Sequence, residues 1–301
     1  MNILKIKNDI FKILIELFIL DKTFRMKIKS RWAKKCLQKY VVKAIEIIEQ
    51  DSDSEQENIT QKDNNIIWQY WHQGEENAPL LIRKCLESVE RYHPEQKRVV
   101  LSYESISDYV EIPAMYYDLV NQGKMSLTFF SDVLRTYLLT QYNGGTWVDS
   151  TIFLTDKIPD DIMNAKFFVF GKDPKTDRLE NKMSSFFIHT RGYSPTINAL
   201  QKVFMQYWKE NDFLINYFLI EHLSSMLSDA NQKFIEEWSQ KPYYSAEDTG
   251  LMQKIIFNDF NQDELDRIKS KTNLHKLSYK ILRDQTSGNS YYDKIINGEI
   301  V

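Results

Sequence analysis

The residues best suited to chemistry lie in one stretch that combines two carboxylates, a guanidinium and a pair of glycines. Asp132 and Arg135 are three positions apart in an apolar-periodic run, which predicts a helix that presents both side chains on one face. Two glycines then permit a tight turn into a strand, on which Trp147, Asp149 and Thr151 share one face because strand side chains alternate. Mg²⁺ and Mn²⁺ prefer oxygen ligands. A carboxylate beside an aromatic residue at the mouth of a sheet can therefore hold a divalent cation on a diphosphate.

Three blocks of the chain resemble the family-32 glycosyltransferases. Residues 131–149 are similar to that family's SDxLR…GGxxxD block, with SDVLR followed by NGGTWVD. The WVDST variant at residues 147–151 is most like the capsular polysaccharide synthesis proteins of bacteria, as are IIWQYWHQG at 66–74 and LHKLSYK at 274–280. The resemblance covers roughly residues 64–283. It implies an α/β fold of the GT-A type, with a mixed central sheet, flanking helices and a nucleotide-sugar site.

The resemblance also implies a role for each matching residue. Asp132 and Arg135 would grip the ribose and the sugar hydroxyls of the donor, and Asp149 would bind Mn²⁺ or Mg²⁺; these three are the implied catalytic residues. Thr151 stands where the family's motif has a second Asp, and a hydroxyl is a poorer metal ligand, so weaker metal binding or an additional ligand is expected. The other implied contacts are Trp68, Tyr70, Trp71, Gln73 and Lys280 for the donor, and Thr151 and His275 for the metal.

Three further residues are weaker candidates for contacts with the acceptor. His189 lies in an aromatic strand, and Glu247 and Asp248 begin a short helix, where they could simply favour its dipole. Each residue named above also has an ordinary structural explanation when taken alone: an ion pair, a turn residue, a core aromatic or a hydrogen-bonded histidine. The sequence contains no GxGxxG, P-loop, HExxH or GxSxG motif, so nicotinamide, ATP-loop, zincin and α/β-hydrolase functions lack support.

The implied reaction transfers a hexosyl group from a nucleoside diphosphate sugar, most commonly a UDP-sugar in the family, to a growing polysaccharide or lipid-linked glycan. The resemblance implies retention of the anomeric configuration; an inverting enzyme would instead need a base such as Glu247 or Asp248. A glycoside hydrolase is one alternative, but it needs two carboxylates that flank one bond. A non-catalytic relative that binds glycans or nucleotide sugars is the other alternative.

Charge is distributed unevenly along the chain. Residues 1–45 carry twelve Lys or Arg and three Asp or Glu, whereas the whole chain has a net charge of −3. Such a basic segment suits either an interfacial helix on anionic lipid or a helical hairpin packed on the domain. The acidic remainder argues against nucleic acid as a partner. With two distant cysteines and no signal peptide or spanning segment, the sequence predicts a cytoplasmic protein. If the basic segment is an interfacial helix, the protein is expected to be peripheral on the inner face of the cell membrane.

Periodicity divides the chain into three parts. Residues 1–50 are predicted to be a basic helical segment, 51–65 an acidic polar linker, and 66–301 a glycosyltransferase domain with a helical C-terminal part. In the domain, strands are predicted at 66–71, 98–103, 146–155, 166–171 and 184–190, with helices at 79–92, 114–123 and 126–142 and a mainly helical region at 194–257. Strand–helix alternation of this kind is typical of an α/β sheet covered by helices.

Overall fold

The computed structural model describes residues 2–50, 65–280 and 288–301, so the predicted linker lies, apart from Asn65, outside the described residues. The helices are α1 Ile3–Phe18, α2 Lys22–Gln50, α3 Leu80–Tyr92, α4 Ala114–Asn121, α5 Leu127–Gln141, α6 Asp160–Met163, α7 Pro195–Glu210, α8 Leu219–Leu227, α9 Gln232–Ser239, α10 Ala246–Thr249, α11 Leu251–Ile255, α12 Gln262–Lys269 and α13 Tyr291–Ile296. The strands are β1 Ile66–Tyr70, β2 Lys97–Leu101, β3 Gly144–Val148, β4 Ile152–Leu154, β5 Phe167–Gly171, β6 Met183–Arg191 and β7 Leu274–Lys276.

The central sheet is mixed and has five strands in the order β2-β1-β3-β6-β5. Strand β1 is parallel to both β2 and β3, whereas β6 is antiparallel to β3 and to β5. Apolar clusters cover both faces of the sheet, one built largely from α5 and α7 and the other from residues such as Val148, Phe168 and Phe187. The prediction of a mixed α/β sheet with flanking helices is confirmed.

The predicted strand at 146–155 is wrong in one respect, because the structure breaks it in two. A turn closed by a 2.9 Å hydrogen bond from the Ile152 amide to the Asp149 carbonyl ends β3 and begins β4. Strand β4 leaves the central sheet and pairs with β7 in a separate antiparallel pair, with Ile152 opposite Lys276 and Phe153 opposite His275. The break leaves Asp149 and Thr151 just beyond the carboxyl end of β3, beside the residues that β7 contributes.

Helix α5 carries the Asp132–Arg135 pair and is held firmly against the sheet. Its N-terminus is capped by Ser126, whose side chain accepts a hydrogen bond from the Phe129 amide. Residues 129, 130 and 132–139 are all buried, so both charged side chains are fixed in the protein interior. At the start of β3, Gly145 with φ +119° lets the strand lie close to Trp68; a Cβ there would be 3.0 Å from the indole nitrogen.

The two N-terminal helices differ in environment. Helix α2 buries one face, including Leu37, Tyr40 and Val41, in the same cluster as the central sheet. The Ser30 hydroxyl donates to the Leu179 carbonyl at 2.6 Å, and the Tyr40 hydroxyl donates to Glu210 at 3.0 Å. Helix α2 therefore belongs to the same hydrophobic core as the central sheet. Helix α1, by contrast, exposes most of its apolar side chains.

Candidate functional site

A cavity opens at the carboxyl ends of β1 and β3, where an α/β sheet offers a binding crevice. In the sheet, β2 lies on one side of β1 and β3 lies on the other side, so the order in which strands are added changes sides at β1. Ligands of α/β proteins bind at the carboxyl ends of the strands at such a topological switch point. The lining residues come from the ends of β1 and β3, from α5, from the segment before α8, from α11, and from β7 with the segment that follows it. They are Tyr70, Trp71, His72, Gln73, Leu127, Thr128, Ser131, Arg135, Trp147, Asp149, Ser150, Thr151, Tyr217, Gln253, Lys276, Leu277, Ser278, Tyr279 and Lys280.

Asp149 is the central carboxylate of this cavity, and both of its oxygens are engaged. Its Oδ1 accepts a 2.8 Å hydrogen bond from Trp147 Nε1 and lies 3.3 Å from Arg135 Nη2. Its Oδ2 lies 2.7 Å from Lys276 Nζ. Burial alone would raise the pKa of Asp149, but the ammonium and the guanidinium, together with these hydrogen bonds, hold it below the usual value. Asp149 is therefore ionised at neutral pH.

Arg135 joins the two carboxylates, and its side chain is only 3% exposed. Its Nη2 lies 3.1 Å from Asp132 Oδ1, and its Nε donates to the Ser131 carbonyl at 3.1 Å. Its Nη1 donates to the carbonyl of Ser185. The guanidinium also lies 4.7 Å from the centre of the Trp147 indole. Every side of this group is thus fixed by a neighbour, which gives the site a rigid positive centre.

Asp132 is buried beside Arg135, just behind the cavity wall, and burial raises its pKa to about 7 despite the guanidinium. The repulsion from ionised Asp149 adds to this increase. At neutral pH the two carboxyl groups are therefore in different states, with Asp149 ionised and Asp132 partly protonated.

Asp132→Asn is expected to become more stable relative to the wild type as pH rises from about 4 to about 7. In this window the unfolded chain has released the Asp132 proton while the folded protein retains it, so the group lowers the wild-type free energy of unfolding as pH rises. An amide cannot titrate and avoids this loss. Urea denaturation at pH 5 and pH 8 measures the effect, with Asp118→Asn on the exposed side of α4 as control. A stability difference that is equal at both pH values would contradict the pKa assigned to Asp132.

The aromatic end of the cavity lies beyond β1. The Tyr70 hydroxyl is 2.8 Å from His72 Nδ1. Trp71 meets Tyr279 edge-on, with ring centroids 5.3 Å apart, so the two rings are in direct contact at this end of the cavity. Aromatic faces of this kind stack on planar ligands such as nucleobases. The predicted donor contacts Tyr70, Trp71 and Gln73 all line this end.

Two residues predicted to contact the donor or the metal lie in the core instead. Trp68 is fully buried and packs edge-on against Tyr109 and Tyr142, so it has no face to offer a base, and the stacking prediction is corrected. His275 is also fully buried, and its Nε2 lies 2.9 Å from Thr155 Oγ1. Burial lowers its pKa. Because neighbours on a strand point to opposite sides, His275 faces away from the cavity and the next residue faces into it.

The three acceptor candidates also lie away from the cavity. His189 is buried on β6, where its Nδ1 lies 2.8 Å from Thr146 Oγ1, and burial lowers its pKa to about 4. Glu247 and Asp248 are on the short helix α10 and do not line the cavity. All three residues therefore lie outside the lining of this cavity.

The described residues around Asp149 do not make a Mg²⁺ or Mn²⁺ site. Asp149 and the Thr151 hydroxyl supply oxygen ligands, but Lys276 Nζ contacts both. A divalent cation on Asp149 would lie against this ammonium and against Arg135, and hard cations need several oxygen ligands. Within residues 2–50, 65–280 and 288–301, no group of three or more His, Cys, Asp or Glu side chains could hold a metal. The predicted metal set of Asp149, Thr151 and His275 is not assembled.

Lys276 is the important residue that the sequence prediction missed. It lies inside the LHKLSYK block, one position after His275, and the alternation of strand side chains means that only one of the two can face the cavity. Lys280, which was predicted, does line the cavity. Ser131, Trp147, Tyr217 and Tyr279 are further lining residues without a predicted ligand contact.

Comparison with known proteins identifies the family and leaves the reaction open. The family described as capsular polysaccharide synthesis protein matches residues 18–295. No curated protein matches the chain. Among solved structures, the galactosyltransferase LgtC in complex with donor and acceptor sugar analogues is similar at 10% identity, over 77% of this chain and 95% of that chain, with a TM-score of 0.37. A similarity with so low a TM-score does not determine fold or activity.

Proposed function

The chain belongs to the family of capsular polysaccharide synthesis proteins, and on that premise we propose that it is a glycosyltransferase with a GT-A-type nucleotide-sugar site. It transfers a hexosyl group from a nucleoside diphosphate sugar, a UDP-sugar in the first instance, to a hydroxyl of a growing polysaccharide or lipid-linked glycan.

The observation that carries this proposal is the composition of the cavity at the ends of β1 and β3. Trp71 and Tyr279 line an aromatic end of the cavity that suits a base. Arg135, Lys276 and Lys280 supply positive charge that suits a diphosphate. Behind them the buried Asp132 pairs with Arg135 and helps to hold it at the cavity wall. Base and diphosphate groups thus each have matching chemistry within one cavity.

The same composition supports a retaining rather than an inverting reaction. Asp149 is the one acidic residue among the described residues that line the cavity, and Lys276 and Arg135 already engage it. A free carboxylate base for an inverting reaction is therefore missing from that part of the lining. A glycoside hydrolase is disfavoured for the same reason, since it needs two carboxyl groups on either side of the scissile bond.

A donor panel tests the proposal. Purified protein is incubated with nucleoside diphosphate sugars that differ in base and in sugar, and nucleoside diphosphate release and donor binding are measured on the same samples. Release from one donor, above that from the other donors, is expected, because such sites also transfer slowly to water. Binding without release from any donor, even with added glycan acceptors, would instead indicate a non-catalytic relative. If no donor binds, the glycosyltransferase proposal is wrong.

We further propose that α1 docks this enzyme on an anionic bilayer, where a lipid-linked acceptor would be made. No helix in the described ranges of the chain is long and apolar enough to cross a membrane. On α1, however, the exposed large apolar side chains occupy an arc of about 140° at 100° per residue. They are well exposed: Ile10 53%, Ile13 59%, Leu14 48%, Leu17 68% and Phe18 79%. Leu20 at 93% and Phe24 at 53% extend this patch.

The charged residues near this apolar patch indicate which type of partner it binds. Lys5, Lys7 and Lys22 are exposed around α1, within a segment of strongly positive net charge. An exposed apolar helix face within a basic segment is typical of helices that lie in the interface of anionic membranes. The protein would therefore act in the cytoplasm, at the inner face of the cell membrane.

Cosedimentation with vesicles tests the docking surface. The wild type is expected to bind phosphatidylglycerol vesicles and to bind phosphatidylcholine vesicles less strongly. The double variant Leu17→Gln/Phe18→Gln should partition at least about tenfold less, because burial of each side chain contributes about 1.5–3 kcal/mol. Ile235→Gln, at a residue that is 43% exposed on α9, is the matched control. Equal binding of the double variant, or a dimer that this variant dissociates, would refute the membrane assignment.

A further inference from the structure

Lys276 occupies a fixed position at the centre of the cavity. The pairing of β7 with β4 places it opposite Ile152, and the Leu277 amide donates to the Thr151 carbonyl at 2.9 Å directly behind it. Its Nζ lies 2.7 Å from Asp149 Oδ2 and also contacts Thr151 Oγ1. The side chain is 33% exposed, so the ammonium group is at the cavity surface. Backbone pairing, a carboxylate and a hydroxyl therefore hold this charge in place.

An ammonium group has three N–H donors. Asp149 and Thr151 account for two of them, and the third remains for a ligand in the cavity. The two oxygen atoms that hold the ammonium are the same two that the sequence resemblance assigned to a divalent cation. The residue that replaces the expected second Asp, Thr151, is thus a suitable partner for an ammonium and a poor one for Mg²⁺ or Mn²⁺.

On the basis of the proposed function, we propose that Lys276 is the cation that binds the diphosphate in this glycosyltransferase. Its ammonium group occupies the position that a divalent metal would otherwise take, and donor turnover therefore needs no divalent metal. Arg135 and Lys280 complete the positive side of the cavity. Asp149 then positions the ammonium instead of binding a metal.

The role of this charge follows from the chemistry of transfer. The bond between the anomeric carbon and the diphosphate oxygen breaks with its electron pair on that oxygen. The acceptor oxygen bonds to the anomeric carbon, and its proton goes to the departing diphosphate. Negative charge therefore grows on the diphosphate in the transition state, and a fixed cation beside it lowers the barrier. Removal of one such group typically costs about 10²–10³-fold in rate.

Nucleoside diphosphate binding, measured by calorimetry in EDTA, tests the proposal without any need for an acceptor. The wild type is expected to bind UDP in EDTA with an affinity that added Mn²⁺ changes by less than about threefold. Lys276→Met should weaken binding at least tenfold, which corresponds to about 1.4 kcal/mol. Lys276→Arg should keep more of the affinity than Lys276→Met, because it keeps the charge. Lys254→Met, at an exposed lysine of α11, is the matched control and should bind as the wild type does.

Donor turnover on the same proteins separates this inference from the proposed function. Release that persists in EDTA and falls about 10²–10³-fold in Lys276→Met supports both. Release or UDP binding that requires Mn²⁺ and disappears in EDTA overturns the role of Lys276 but leaves the glycosyltransferase intact. If no donor is bound or cleaved with or without metal, the proposed function itself is wrong. Because the EDTA comparison uses the wild type, a variant that fails to fold does not obscure the result.

Discussion

Asp149→Asn is expected to lower donor turnover by about 10²–10³-fold while leaving the affinity for UDP in EDTA unchanged or stronger. The two effects differ because Asp149 does two things. It holds Lys276 at 2.7 Å and Arg135 at 3.3 Å, and the neutral amide of Asn holds neither cation as firmly. It also brings negative charge near the diphosphate, and removal of that charge favours an anionic ligand.

The same substitution would behave differently in a metal-dependent enzyme. There the loss of the metal-binding carboxylate would weaken nucleotide binding together with turnover. Steady-state release assays and calorimetry on one preparation distinguish the two cases, with the exposed Asp118→Asn as a control of identical chemistry. Turnover within threefold of the wild type would show that Asp149 does not organise the site.

Arg135→Met is expected to lower the free energy of unfolding by about 3–5 kcal/mol and to abolish detectable turnover. The methionine fills much of the same space, so the loss comes from charge and hydrogen bonding. Asp132 and Asp149 lose their shared partner, and the carbonyls of Ser131 and Ser185 lose the N–H donors that they accept from. Buried carboxylates without a counter-charge are costly because they are removed from water.

This loss of stability should depend on pH and on Asp132. Without the guanidinium the pKa of Asp132 rises further, so the variant is destabilised more at pH 8 than at pH 5.5, where the folded protein keeps the carboxyl group neutral. Urea denaturation of Arg135→Met, Asp132→Asn and the double variant measures the coupling free energy between Arg135 and Asp132. A value of about 1–3 kcal/mol is expected. Arg267→Met, whose guanidinium pairs with Glu264 on the surface, should leave the denaturation midpoint unchanged within error. Additive losses in the double variant would refute the coupling.

Local patterns predicted the parts of the site that depend only on local geometry. The three-residue spacing of Asp132 and Arg135 determines their common face on any helix, and the structure pairs them at 3.1 Å. The alternation of side chains along a strand likewise predicted that Trp147 and Asp149 lie on the same face, and the two residues share a hydrogen bond. Tyr70 and Trp71 reach the cavity because they come at the end of a strand.

The errors occur where the answer depends on tertiary packing. Strand β7 has only three residues, so its sequence alone does not reveal whether His275 or Lys276 faces the cavity; the pairing with β4 decides it. Trp68 is an aromatic residue of the same strand as Tyr70, but it lies one layer deeper and is covered by Tyr109 and Tyr142. The metal site was predicted from the ligands of similar sequences. In the structure the positive charge beside Asp149 comes from Lys276, which is more than a hundred positions away in the chain.

The packing of α2 has a consequence for the synthesis of the chain. Its partners are distant in sequence: Ser30 bonds to Leu179, and Tyr40 bonds to Glu210, 170 positions later. At about 5–20 residues per second, the ribosome needs roughly 10–30 s to deliver those partners after α2 has emerged. During that interval the apolar faces of α1 and α2 have no core to join. Helix α2 can therefore take its place in the core only after residues 179–210 have been synthesised, so its packing is a late step in the folding of the chain.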